Sequence, residues 1–287
     1  GDLYRETEQE GVNQDMIIAA RTHDYGKQPI EKLPSLLKSE GIGAAQLVLP
    51  KGFTEISSYD EVTPEIVERI RRSFEDEGIR IHILGCYMDL GNPDDEVRKN
   101  AVSTFKKCLA WNKILGASIV GTETAYPHLT PEEKKVWHPY MMDSISRLVE
   151  EAERLDTDMA IEPVYWHPLE NLEVTAEVFD RMNSRHLKMI FDPANVLPEP
   201  EIDQDAYWKE WLSVLGDKIE AIHMKDFVEG PQKEYCPVCL GEGVIQYAEI
   251  IRWLKKNRPD IVIVREELDP KTAQKDLAWM REAWERY

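Results

Sequence analysis

A chain of 287 residues with a hydrophobic fraction of 42% has room for one large α/β domain or two small ones. Its formal net charge of −19 repels nucleic acid and anionic membrane surfaces, so a neutral small molecule is the expected partner. No apolar stretch is long enough to span a bilayer, the N-terminus lacks a signal pattern, and four cysteines make no disulfide framework, so a cytoplasmic location is expected.

Residues 1–14 read as a polar extension. Strand-like runs then alternate with amphipathic helical stretches to the C-terminus. The strand candidates are Met16–Ala20, Ala45–Leu49, Ile79–Leu84, Ala117–Gly121, Asp158–Ile161, Leu187–Phe191, Ile219–Met224 and Ile261–Val264. Thr63-Pro64-Glu65, Asn92-Pro93-Asp94-Asp95 and Thr130-Pro131-Glu132-Glu133 carry helix-start signals with proline at the first helical position. Gly41, Gly78 and Gly116 stand where helices end, and a last helix is expected over roughly Thr272 to Glu285. Trp208, Trp211, Trp253, Trp279 and Trp284 fall on helix candidates, where they pack the core or build a homo-oligomer interface. Eight such units without a composition break imply a parallel sheet with right-handed crossovers. In a chain of this length they fit a closed (β/α)8 TIM barrel, a single domain over residues 15–287, better than an open doubly wound sheet. The first strand is not followed by the Gly-x-Gly-x-x-Gly that would favour a dinucleotide-binding fold.

Four apolar runs each stop on a potential metal ligand: Met159-Ala-Ile-Glu162, Met189-Ile-Phe-Asp192, Ile219-Glu-Ala-Ile-His223 and Ile261-Val-Ile-Val-Arg-Glu266. A carboxylate at the end of a buried strand is unfavourable unless it is paired, hydrogen-bonded or bound to a cation. Taken singly, Glu162 reads as an ordinary ion-pair residue, Asp192-Pro193 as a turn start and His223 as a core histidine. Their placement at the ends of the fifth to eighth strands, where barrel active sites lie, points to one shared ion. Three carboxylates and a histidine suit one divalent metal ion, Mn, Mg, Co or Zn. On the eighth strand Glu266 and Glu267 are adjacent, and side-chain alternation lets only one face the barrel mouth. Counting along the strand selects Glu266, with Glu267 as the alternative; the unused one is expected to pair with Arg265 or Arg21.

The segments Ala160-Ile-Glu-Pro-Val164, Phe191-Asp-Pro-Ala-Asn195, Ile222-His-Met-Lys-Asp226 and Leu240-Gly-Glu-Gly-Val244 resemble the xylose-isomerase-like TIM-barrel superfamily. That group holds sugar isomerases, ketose 3-epimerases, inosose-processing enzymes and, more distantly, endonuclease IV. Leu84-Gly-Cys-Tyr87 and Val120-Gly-Thr-Glu-Thr124 further resemble a subgroup of sugar isomerases. The resemblance implies a metal-dependent sugar isomerase or epimerase acting on a keto-sugar or sugar-like polyol through an enediolate. It implies Glu162, Asp192, His223 and Glu266 as metal ligands, with Glu162 and Glu266 as the catalytic acid–base pair. The same parts would serve a lyase or dehydratase on a keto-sugar or keto-inositol, and a non-catalytic sugar-binding barrel is the remaining alternative. A nuclease is disfavoured by the acidic chain and its seven histidines.

Tyr87 and Glu123 end the third and fourth strands and are expected at the same mouth, and His167 is expected there from its loop or else stacked on Trp166. Asn195, Lys225 and Asp226 are expected to contact substrate by resemblance, although Lys225 has the alternative of a surface pairing with Asp226. His23 and Asp24, after the first strand, are candidates of the same kind. Cys236-Pro-Val-Cys239 lacks the second cysteine pair that structural zinc normally needs, and it is read as part of a variable loop.

Overall fold

Eight short, largely apolar runs pair in parallel until the last closes on the first. In the computed structural model, which describes residues 16–287, the strands are β1 (Ile18–Arg21), β2 (Ala44–Leu47), β3 (Arg80–Gly85), β4 (Ile119–Thr122), β5 (Met159–Ile161), β6 (Leu187–Phe191), β7 (Ile219–Met224), β8 (Asp226–Glu229), β9 (Tyr235–Val238) and β10 (Ile263–Arg265). The closed order is β1-β10-β7-β6-β5-β4-β3-β2, with helices outside: a single (β/α)8 TIM barrel, as expected. The extension over residues 1–14 lies outside the described residues. No helix among the described residues is long and apolar enough to cross a membrane.

Local chemistry explains most element boundaries. Thr63 caps the helix Pro64–Asp76 by accepting from Ile66 N, and Thr130 with Glu133 forms a reciprocal capping box on Pro131–Leu155. The helix after β3 starts later than expected. Asp94, not Asn92, is its cap, and Asn92 accepts from Asp94 N in a turn ahead of it. Gly116 ends that helix at φ 77°, a conformation glycine adopts without steric penalty. The β8–β9 hairpin, antiparallel and outside the barrel, is a feature the sequence reading did not contain. Trp208 and Trp211 are fully buried core, and Trp253, Trp279 and Trp284 pack partly buried against it.

Two cores follow from side-chain alternation. The large one lies between strands and helices; the small one is Ala19, Ala44, Ile83, Ile119, Ala160, Ile190, Ala221, Val262 and Val264, with every barrel run contributing. This small cluster is the barrel interior, and it fixes which way each strand end points.

Candidate metal centre

Two residues beyond an interior side chain, the next one faces inward again. Applied to Ala19, Ala44, Ile83, Ile119, Ala160, Ile190, Ala221 and Val264, this step gives Arg21, Gln46, Gly85, Gly121, Glu162, Asp192, His223 and Glu266. One layer at the C-terminal mouth therefore holds all four expected ligands, all of them buried. Their ligand atoms lie within 4.8 Å of one another. Two ligands on opposite sides of one divalent ion can be about 4–5 Å apart, so the spacing fits.

His223 Nδ1 stands 2.5 Å from Glu266 Oε2, 3.2 Å from Glu162 Oε1 and 3.7 Å from Asp192 Oδ2. Those four atoms are buried and have no hydrogen-bond partner. Most buried polar atoms in native structures are satisfied, and among the described residues the others left without a partner, such as His82 Nδ1 and Trp211 Nε1, do not form such a cluster. Four that converge on one another from four strands fit a cation-binding site. The remaining atom of each group is held from behind in three cases: Glu162 Oε2 accepts from Asn195 Nδ2 at 2.9 Å, Asp192 Oδ1 accepts from Asn195 N at 3.3 Å, and His223 Nε2 lies 2.7 Å from Gln46 Oε1. Glu266 Oε1 accepts from Arg21 at 3.3 Å. The donor set, three carboxylates and one imidazole, has the chemistry of a divalent cation site.

Charges around the cluster set its protonation in the absence of metal. Burial pushes the Glu162 carboxyl up, with His223 opposing, and pushes Asp192 up, with Lys225 opposing. Burial works the same way on Glu266, but Lys225, His223 and Arg21 together hold it well below the usual carboxylate range. Burial opposes protonation of His223, yet Glu266 and Glu162 hold the imidazolium well above its ordinary range. Lys225 Nζ lies 3.1 Å from Asp192 Oδ2 and 3.6 Å from Glu266 Oε1. It is a buried neighbour of the centre, not a surface partner of Asp226.

Glu266 opens onto a cavity of about 560 Å³ whose wall also includes Arg21, His23, Tyr59, Tyr87, Glu123 and Tyr126. Tyr87 and Glu123 thus face the mouth as expected. Burial, then Glu162 and Glu266, push the Glu123 carboxyl well above its ordinary range. His167 is buried with Nδ1 3.8 Å from Glu123 Oε2, and its ring is edge-on to Trp166 rather than stacked on it; His128 is the histidine that stacks there. The His167 pKa is pushed down to about 3 by burial, with His128 and Lys134 adding to the effect. His23 lines the mouth, whereas Asp24 pairs with Arg21 at 2.8 Å and accepts from Leu268 N. A groove of similar size on the outer face, lined by Arg98, Lys106 and Arg147, is remote from these ligands in the fold.

Asn195, expected at the substrate, donates from its amide to Glu162. Asp226, also expected there, accepts through its two oxygens from the backbone N–H groups of Phe227, Gly241, Gly243 and Ile245. A Cβ on Gly243 would sit 2.1 Å from Asp226 Oδ1, so the Gly-Glu-Gly motif is the backbone wrapping closely around that carboxylate. Glu267, turned away at φ 58°, pairs with neither arginine; it accepts from Tyr235 Oη at 2.8 Å. Arg265 is paired with Asp276 at 2.9 Å instead. Cys236 lies on β9, and both it and Cys239 are free and partly exposed.

Fold and site together define a TIM barrel with a candidate divalent-metal centre at its C-terminal mouth. The family model for the xylose isomerase-like TIM barrel matches residues 34–283, and the chain belongs to that family. No curated protein matches it in sequence. Among solved structures, 3-keto-D-glucoside 4-epimerase from E. coli superposes with a TM-score of 0.72 at 15% identity, covering 93% of this chain and 99% of that one. A D-tagatose 3-epimerase-like protein gives 0.75 at 18% identity, covering 94% and 98%. A xylose isomerase-like barrel from Mycobacterium smegmatis, solved in complex with magnesium, gives 0.69 at 14% identity, covering 94% and 96%.

Proposed function

We propose that this chain is a divalent-metal-dependent isomerase or epimerase acting on a keto-sugar or sugar-like polyol, with Glu162 and Glu266 as its proton-transferring pair. The observation that carries the proposal is the convergence of four buried ligand atoms within 4.8 Å of one another, one of them on Glu266, which also lines the mouth cavity. The resemblance to structures of sugar epimerases supports the substrate class. A bound divalent ion, Mn, Mg, Co or Zn, would polarise a substrate carbonyl and favour the enediolate that forms when the adjacent carbon loses its proton.

Glu162, Asp192, His223 and Glu266 would hold that ion. Glu162 and Glu266 enter from non-adjacent strands, β5 and β10, with β6 and β7 between them. A substrate carbon lying between two such carboxylates can lose a proton to one, and the flat enediolate so formed can take a proton from the other on its opposite face, which inverts the carbon. Asn195 holds Glu162, and Arg21 holds Glu266, so neither carboxylate can swing freely. Tyr87, Glu123 and His167 would meet the hydroxyls of the substrate, Lys225 would add positive charge beside the developing oxyanion, and the walls would exclude water.

The test is solvent exchange. Keto-sugars from a panel, incubated with manganese-loaded protein in heavy water, should gain deuterium at the carbon next to the carbonyl. Glu162→Gln and Glu266→Gln, compared at saturating manganese, should each suppress that exchange, because an amide cannot take the proton. Turnover without solvent deuterium would show hydride transfer between adjacent carbons and remove the acid–base roles from both glutamates.

A further inference from the structure

Gln46 is a fully buried amide in the otherwise apolar β2 run Ala44-Ala-Gln-Leu47. It stands two residues beyond an interior alanine, in the same mouth layer as the four ligands. Its two polar ends meet different partners. Gln46 Oε1 lies 2.7 Å from His223 Nε2, and Gln46 Nε2 donates to Tyr87 Oη at 2.7 Å. An amide oxygen only accepts, so in this arrangement Nε2 of His223 keeps a proton, and Nδ1, the atom facing the carboxylates, is the nitrogen that would give up its proton to a cation. The opposite amide orientation would present an N–H to Nε2, place the ring proton on Nδ1 and close that atom to a cation.

We infer that Gln46 is a positioning residue for the metal centre, fixing the metal-binding tautomer of His223, and that Tyr87 in turn fixes the orientation of the Gln46 amide. The inference rests on the proposed metal site and adds to it a relay, Tyr87–Gln46–His223, that runs from the cavity wall to the ligand. Because the phenol oxygen accepts from Gln46, its own O–H is free to point into the cavity that Tyr87 lines. Partners behind a metal-bound histidine typically change metal affinity by about 10–100-fold.

Manganese affinity of the purified full chain, read from the free-ion electron paramagnetic resonance signal, tests this without any sugar. Gln46→Leu should weaken manganese binding by about 10-fold or more. Gln46→Glu should bind within about threefold of wild type or tighter, since a carboxylate accepts the imidazole proton in either orientation. Tyr87→Phe should weaken binding severalfold, because the amide loses the hydroxyl that orients it, and Gln46→Glu in the Tyr87→Phe background should restore it. In the zinc-loaded protein, nitrogen-15 spectra should show the His223 proton on Nε2. Wild-type affinity in Gln46→Leu, or a Gln46→Glu as weak as Gln46→Leu, would overturn the role of Gln46 while leaving the four-ligand site standing. A wild-type chain that binds no manganese would instead overturn the site and the relay together.

Discussion

The two halves of the barrel mouth are built on one geometry and do different work. On β5, β6, β7 and β10 the layer two residues past the interior core is Glu162, Asp192, His223 and Glu266; on β1 to β4 it is Arg21, Gln46, Gly85 and Gly121. The first half concentrates anionic and imidazole donors on one point. The second half has none of the four candidate ligands in that layer: it supplies one guanidinium, one amide and two glycines, whose Cβ positions are taken up by neighbouring side chains. A Cβ on Gly85 would lie 2.9 Å from the Tyr87 ring, and one on Gly121 would lie 2.6 Å from Ile190 Cδ1. The backbone fixes where a side chain points, and residue identity alone decides whether that strand end binds a cation or packs beside it.

The largest effect that could break this contrast lies in the ligand half. Asp192→Ala should lower manganese affinity by at least about 100-fold and abolish exchange, while circular dichroism shows a folded barrel. Full metal content and activity in this variant would remove Asp192 from the site. A smaller effect is expected in the other half. Gly121→Val forces methyl groups against Ile190 and Ile83 and should lower stability by about 1–3 kcal/mol, read from the urea midpoint. Unchanged stability would mean that this strand end is not tightly packed.

Beneath both halves, His82 on β3 bonds across the barrel to the Glu220 carbonyl on β7 at 3.0 Å. Burial depresses its pKa from 6.5 to about 4, so the folded state holds the neutral ring. The stability this gives is complete above pH 6.5 and is lost as the pH falls toward 4, because the unfolded chain binds the proton first. The contribution is at most about 3 kcal/mol, and His82→Gln should flatten the stability curve over that window. An unchanged slope would show that other groups dominate acid destabilisation.

Much of this was legible in the sequence because strand ends announce themselves: a carboxylate or imidazole closing an apolar run is unfavourable without a partner. Period-two alternation even separates Glu266 from Glu267, and the structure gives the second to Tyr235. Gln46 carried the same signal, a polar residue inside Ala-Ala-Gln-Leu, but an amide is a weaker anomaly than a charge. The partners of Asp226 and Asn195 within the fold were not legible for a different reason. A buried carboxylate or amide is as well satisfied by returning backbone or by a neighbouring ligand as by a substrate, and sequence does not show where a loop folds back. The hairpin escaped notice because Pro237 within β9 argues against a strand unless the strand is at an edge, as it is here.

Four strand ends are proposed to share one ion. Manganese titration of the wild-type chain beside Glu162→Gln, Asp192→Asn, His223→Gln and Glu266→Gln tests it. One equivalent per wild-type chain, with affinity falling by about 10-fold or more in every variant, is the predicted result. No binding at micromolar manganese, or one equivalent retained at undiminished affinity in any of the four, would contradict it.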